Sequence, residues 1–213
     1  MTTETEKIKE ILKENLVTLA EYYAGDERNL LAICNTLDFD SLRRLKKLKK
    51  IPFVFTKEEL MDGVDVFPIE FLNIRQHHKI LSGEDFLKDI QISKEHLRHQ
   101  LEFEFRSKLI HLRKEYLQFR GRHLETLILS TIPTLMPIIG GLIYFKDLHY
   151  SDTEDMFKVV SEGYSIDVQV LKEICDIRRG KAKFRKDKEQ YIIELIKILT
   201  SIGTIVDQIE RKQ

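Results

Sequence analysis

The feature that most limits this chain is a run of twenty residues without a charge, 126–145. A stretch of that length and polarity is either a membrane span or the centre of a packed core. Pro133, Pro137 and the pair Gly140-Gly141 interrupt it, with Ser130, Thr131 and Thr134 between them. Proline costs about 3 kcal/mol inside a soluble helix because it removes a backbone donor and clashes with the preceding turn. Glu125 and Lys146 bound the run, with no clear aromatic belt or one-sided cluster of positive charge. The expectation is a buried pair of core helices broken at the prolines, with no membrane span.

The sequence around this run is periodic at threes and fours. Over residues 94–120, Leu97, Leu101, Phe105, Leu109, Leu112, Tyr116 and Phe119 form one apolar stripe of a long helix. Helices are expected over 153–160 and 166–178, with Asp152 and Ser165 as caps. A basic connector, 178–188, leads into a last helix over 189–210. Antiparallel helices joined by short loops make an up-and-down bundle.

The front of the chain reads differently. A short helix over 5–12 precedes two apolar runs, 17–23 and 29–34, which read as strands around a Gly25-Asp26 turn. A helix is expected over 42–50, capped by Asp40 or Ser41, then a β-prone run over 51–55. Thr56 and Glu59 form a capping box for a helix over 57–61. Residues 65–74 are aromatic-rich and read as extended, and 77–81 as one more strand. The fold class expected is α+β and mostly helical: a small α/β domain over 1–90, then a helical bundle over 91–213.

With 35 basic and 35 acidic residues the chain has no net field to attract nucleic acid or an anionic membrane. Cys34 and Cys175 lie in apolar contexts without CxxC spacing, which points to buried thiols and a reducing, cytoplasmic address. The charged first residues contain no signal-peptide core.

Two segments carry a resemblance. The first is Val66-Phe67-Pro68-Ile69-Glu70-Phe71-Leu72-Asn73-Ile74 with His78-Lys79-Ile80-Leu81-Ser82-Gly83-Glu84-Asp85. The second runs from Leu97-Arg98-His99-Gln100-Leu101-Glu102 through Leu112-Arg113-Lys114-Glu115-Tyr116-Leu117. Here the chain resembles bacterial nucleotidyltransferase-like proteins, which join a polymerase-beta-type fold to a helical bundle. The likeness covers residues 50–120 best. Active members of that superfamily hold phosphates on a Gly-Ser turn and Mg²⁺ on an Asp-x-Asp strand plus a third acid. Alternate strand residues point the same way, so such a pair converges on one metal, which neutralises the phosphate charge.

This chain departs from that pattern at each point. The corresponding strand begins Arg28-Asn29-Leu30, no Gly-Ser lies near 22–25, and Phe53-Val54-Phe55 carries no acid. The resemblance therefore implies a degenerate, catalytically silent member that binds or regulates, with no cofactor. The alternative is an active Mg²⁺-dependent transferase with a displaced metal site, for which Asp26, Glu27, Asp38 and Asp40 are the nearby acids.

No catalytic residue is assigned. Candidate anion-binding residues are Arg43, Arg44, Lys46 and Lys47 in the first basic run and Arg178 and Arg179 in the second. A solvated helix face and a solvated loop explain the same letters. Glu95, His96, His99 and Glu102 have helical spacing for a metal, but a salt-bridged surface explains them as well. Arg106 and His111 match the spacing of an RNA-cleaving bundle, although five positions turn two side chains well apart on a helix. The partners left open are a nucleotide, a protein held on the bundle, or a second copy of the chain.

Overall fold

The computed structural model describes residues 3–24, 27–119 and 122–210. It divides into two compact units, Met1–Ser93 and Lys94–Gln213. The first contains α1 (Glu4–Leu12), β1 (Leu16–Ala24), β2 (Glu27–Cys34), α2 (Phe39–Leu45), β3 (Phe53–Thr56), α3 (Lys57–Gly63), α4 (Pro68–Gln76) and β4 (His78–Gly83). The second contains α5 (Lys94–Gln118), α6 (Arg122–Phe145), α7 (Thr153–Tyr164), α8 (Gln169–Arg178) and α9 (Glu189–Glu210). The class is α+β and mostly helical, with a small sheet followed by helices.

The sheet order is β3-β2-β1-β4. β1 pairs antiparallel with both β2 and β4, and β3 runs parallel to β2 with Leu31 opposite Phe53 and Cys34 opposite Thr56. Residues alternate across the pleat, so each strand serves two cores. Leu19, Leu30 and Ala32 on one face pack with Ile8 and Leu12 of α1 and Leu45 of α2. On the other, α4 covers the sheet, with Phe71 tilted on Phe55 at 5.8 Å between ring centres. Gly83 closes β4 at a φ of +84°, and a Cβ there would meet the Val17 carbonyl oxygen at 1.9 Å. Only glycine fits that position.

Four expectations are corrected across the two units. Residues 68–76 form α4 instead of an extended segment: Pro68 supplies a pre-set first helical residue, and Ile69, Phe71, Leu72 and Ile74 are buried. α2 stops at Leu45, because the cations at 43, 44, 46, 47, 49 and 50 would face one another three and four apart in a longer helix. Ser165 does not cap α8. It ends α7 in the left-handed region at φ 55°, and α8 begins four residues later. The capping box at Thr56 and Glu59 forms as expected, with the Thr56 side chain accepting from the Glu59 amide at 3.1 Å.

The uncharged run is a single helix, α6, with both prolines inside it, in place of the expected broken pair. It is long and apolar enough to cross a membrane, yet 56% of its most apolar window is buried within the protein. α5, α7 and α8 pack around it. Gly141 of α6 lets Leu101 approach to 3.0 Å of where its Cβ would be. α5 also packs on α9, where the Phe105 ring lies 2.8 Å from the position of a Cβ on Gly203. Phe105 is thus locked against a surface without a side chain. Replacing Phe105 by Ala should cost about 3–5 kcal/mol, read as a lower urea midpoint with unchanged slope. Leu117→Ala, at an 81% exposed position of the same helix, should stay within about 0.5 kcal/mol of wild type.

Candidate functional site

In the first unit, the strand compared above with the acid strand of the resembling family lies in the β1–β2 hairpin. β1 ends at Ala24 and β2 begins at Glu27, so two residues join them. Arg28 of β2 turns its guanidinium onto the Glu21 carboxylate of β1, which is buried. The register places Glu21 opposite Leu30 and Tyr23 opposite Arg28, so acid and base lie diagonally on one face. Lys50 donates to the Arg28 carbonyl, and Asn73 Nδ2 donates to the Tyr23 carbonyl at 3.1 Å. Glu21 was not singled out by the sequence. Its signal was an acid at an otherwise apolar strand position, readable only once Arg28 was known to face it.

Of the acids considered for a displaced metal site, the structure describes the side chains of Asp38 and Asp40, and each is engaged or exposed in its own helix. Asp38 caps α2, accepting from the Ser41 amide at 2.6 Å, and that bond holds its carboxyl below the usual range. Asp40 is exposed beside Arg43, at 3.4 Å. Asp26 lies outside the described residues, as does the side chain of Glu27. β3 presents Phe53, Val54 and Phe55. Among the described residues, no three His, Cys, Asp or Glu side chains are grouped to hold a metal.

The two basic stretches belong to different units. Arg43 and Arg44 occupy the last turn of α2, and Lys46 and Lys47 follow in a turn, all four exposed. Arg43 also stacks on the exposed Phe39 ring at 5.4 Å. In the second unit Arg178 donates to the Leu129 carbonyl at 2.9 Å. That acceptor is available for a specific reason: the residue four positions on is Pro133, which has no N–H to give it. Arg179 is exposed at the end of α8. Arg185, further along the connector, is bound into the bundle. Its Nε lies 2.9 Å from Glu173 Oε2 and its Nη1 2.7 Å from Glu194 Oε1, while the Tyr191 hydroxyl donates to Glu173. The Arg185 hydrogen bonds, against some desolvation, hold the Glu173 carboxyl below its ordinary value.

The remaining candidates on α5 are similarly engaged. Glu102 accepts from Arg98 at 3.3 Å and from Arg106 at 3.0 Å, and Arg106 also reaches Asp207 at 2.9 Å. His99 Nδ1 lies 3.1 Å from Arg98. His111 faces a groove between α5, α6 and α9, apart from these ion pairs. Cys34 and Cys175 are free and buried, and burial, with the Glu59 charge, pushes the Cys34 thiol up.

No protein-family model matches the chain, and no curated protein is similar to it in sequence. Among solved structures it is similar to the spectinomycin adenyltransferase AAD(9) from Enterococcus faecialis, determined with ATP and spectinomycin. The TM-score is 0.56 at 12% identity, over 93% of this chain and 96% of that one. The likeness shows a nucleotidyltransferase-like fold.

Two measurements follow from these contacts. Arg178→Ala should cost about 0.5–1.5 kcal/mol, the worth of one hydrogen bond. In a Pro133→Ala background, where residue 133 regains its own N–H for Leu129, that cost should fall to near zero in a double-mutant cycle. Glu173, with its folded pKa depressed, contributes stability that is complete above its unfolded value of about 4.3. That contribution is lost as pH falls through the lower folded value. Urea midpoints of wild type should therefore drop below about pH 4, whereas Glu173→Gln should be less stable at neutral pH and flatter across the acid window.

Proposed function

We propose that this chain is a nucleotidyltransferase fold without metal-dependent transfer chemistry, which acts by binding as a recognition or regulatory module. The observation that supports this most is the Glu21–Arg28 pair on the shortened β1–β2 hairpin. Phosphoryl transfer needs carboxylates that converge on Mg²⁺ beside the phosphates. Here a guanidinium stands on β2, and among the described residues the buried carboxylate beside it, Glu21, is paired with it. A cation at that place repels a metal ion and would have to be displaced before one could bind. The exposed cations Arg43, Arg44, Lys46 and Lys47 supply an anion-binding surface in the same unit, suited to a nucleotide's phosphates. A protein partner or a second copy on the bundle is the other occupant. The free, buried thiols fit a reducing cytoplasm.

Calorimetry with ATP, GTP, CTP and UTP, each with and without Mg²⁺, tests the proposal. Metal-independent binding, weakened severalfold by a joint Arg43→Ala/Lys47→Ala change, is the expected result for a nucleotide-binding module. No binding under either condition also fits a silent fold and directs the search to protein partners. Binding that requires Mg²⁺ and is lost in Asp26→Ala/Glu27→Ala would overturn the proposal in favour of an active transferase.

A further inference from the structure

The bundle contains a groove of about 270 Å³ between α5, α6 and α9, which the proposed function does not use. Its floor is apolar: Leu112, Leu127, Leu135, Leu195 and Leu199 are all nearly inaccessible. Its walls are polar, with Lys108, His111 and Glu115 from α5 facing Ser130, Thr131 and Thr134 from α6. An apolar body with a few directed polar groups is the usual make-up of a small-molecule site, and the volume suits one ring with a short arm. Water over five leucines has few partners, so displacing it is favourable.

The hydrogen bonds already present decide the sign of the ligand. Ser130 donates to the Leu127 carbonyl at 2.8 Å, Thr131 to Ile128 at 2.6 Å and Thr134 to Thr131 at 2.9 Å. Without breaking those bonds, each hydroxyl offers a ligand its oxygen lone pairs. On the opposite wall, the Lys108 ammonium is paired with Glu104 at 3.0 Å. Glu115 has no ion pair among the described residues. An anion entering the groove would meet three hydroxyl oxygens and the Glu115 charge, with donors from His111 and from a Lys108 ammonium whose charge Glu104 already offsets. A protonated amine would meet the Glu115 carboxylate and three hydroxyl lone pairs. A polyol is disfavoured by the leucine floor, which would strip its hydroxyls of water without replacing the bonds.

We infer that this groove binds a small arylalkyl- or alkylammonium ligand, its apolar body on the leucines and its ammonium on Glu115 and the α6 hydroxyls. The site stands on the bundle alone and is independent of how the nucleotide titration falls. The test is methyl NMR of the full chain, labelled at leucine and isoleucine and titrated at neutral pH with 2-phenylethylammonium, 2-phenylethanol and phenylacetate. The ammonium should shift the Leu127, Leu195 and Leu199 methyls and bind about tenfold tighter than the isosteric alcohol, a difference worth about 1.4 kcal/mol, with phenylacetate weakest. Glu115→Gln, a half-buried change that leaves the floor intact, should remove the preference for the amine without abolishing the shifts. Ser130→Phe, which fills the groove, should abolish them for every compound. No shift at these leucines at tens of millimolar, binding of the carboxylate as tightly as the amine, or a preference unchanged in Glu115→Gln would each overturn the inference.

Discussion

The second unit depends on the burial of α6. A helix so apolar leaves water at a large gain, of the order of 25 cal/mol for each Å² removed, and α5, α7 and α8 supply the surfaces that cover it. The prolines complicate this gain, since each leaves the carbonyl four residues earlier without its helical partner. At Leu129 the partner is Arg178, arriving from the end of α8. The hydroxyls of Ser130, Thr131 and Thr134 bond to carbonyls of the same helix. In this way the polar residues of α6 serve its backbone first. The oxygens left over give the groove its acceptor character.

The first unit also uses polar residues to close its structure. Two residues join β1 to β2, and β2 opens with Glu27 and Arg28. The tight hairpin extends the antiparallel pairing of β1 to its last residue, with Ala24 opposite Glu27. That ladder and the Glu21–Arg28 pair hold this end of the sheet together.

Much of the fold was legible from local chemistry. The capping box at Thr56, the paired strands β1 and β2, the stripe of α5 and the closing helix α9 all follow from spacing and caps within a few residues. The errors share a cause. At 68–76 the apolar residues fill both faces of a short helix, so no period separates it from a strand, and contacts across the sheet such as Phe71 on Phe55 give the helix its place. At 133 and 137 the sequence correctly marks missing donors, but whether a helix breaks or continues depends on a donor from elsewhere in the chain. The candidate site followed the same division. The absent acid motif was readable residue by residue, whereas Glu21 and the groove around His111 and Glu115 join residues from separate elements.

By itself, then, the sequence determined the class of fold, the central burial of the uncharged run and the lack of an Asp-x-Asp strand, because periodicity, capping and motif chemistry act over short spans of chain. Tertiary structure decided which cations bind across the fold and which bind locally. Arg178, Arg185 and Arg106 look alike in sequence to Arg43, yet the first three are held by a carbonyl or by carboxylates of other elements, whereas Arg43 meets Asp40 and Phe39 of its own helix. The physical reason is that a charge finds its partner through space, across 49 residues for Arg178 and 101 for Arg106, and no local pattern records such a meeting.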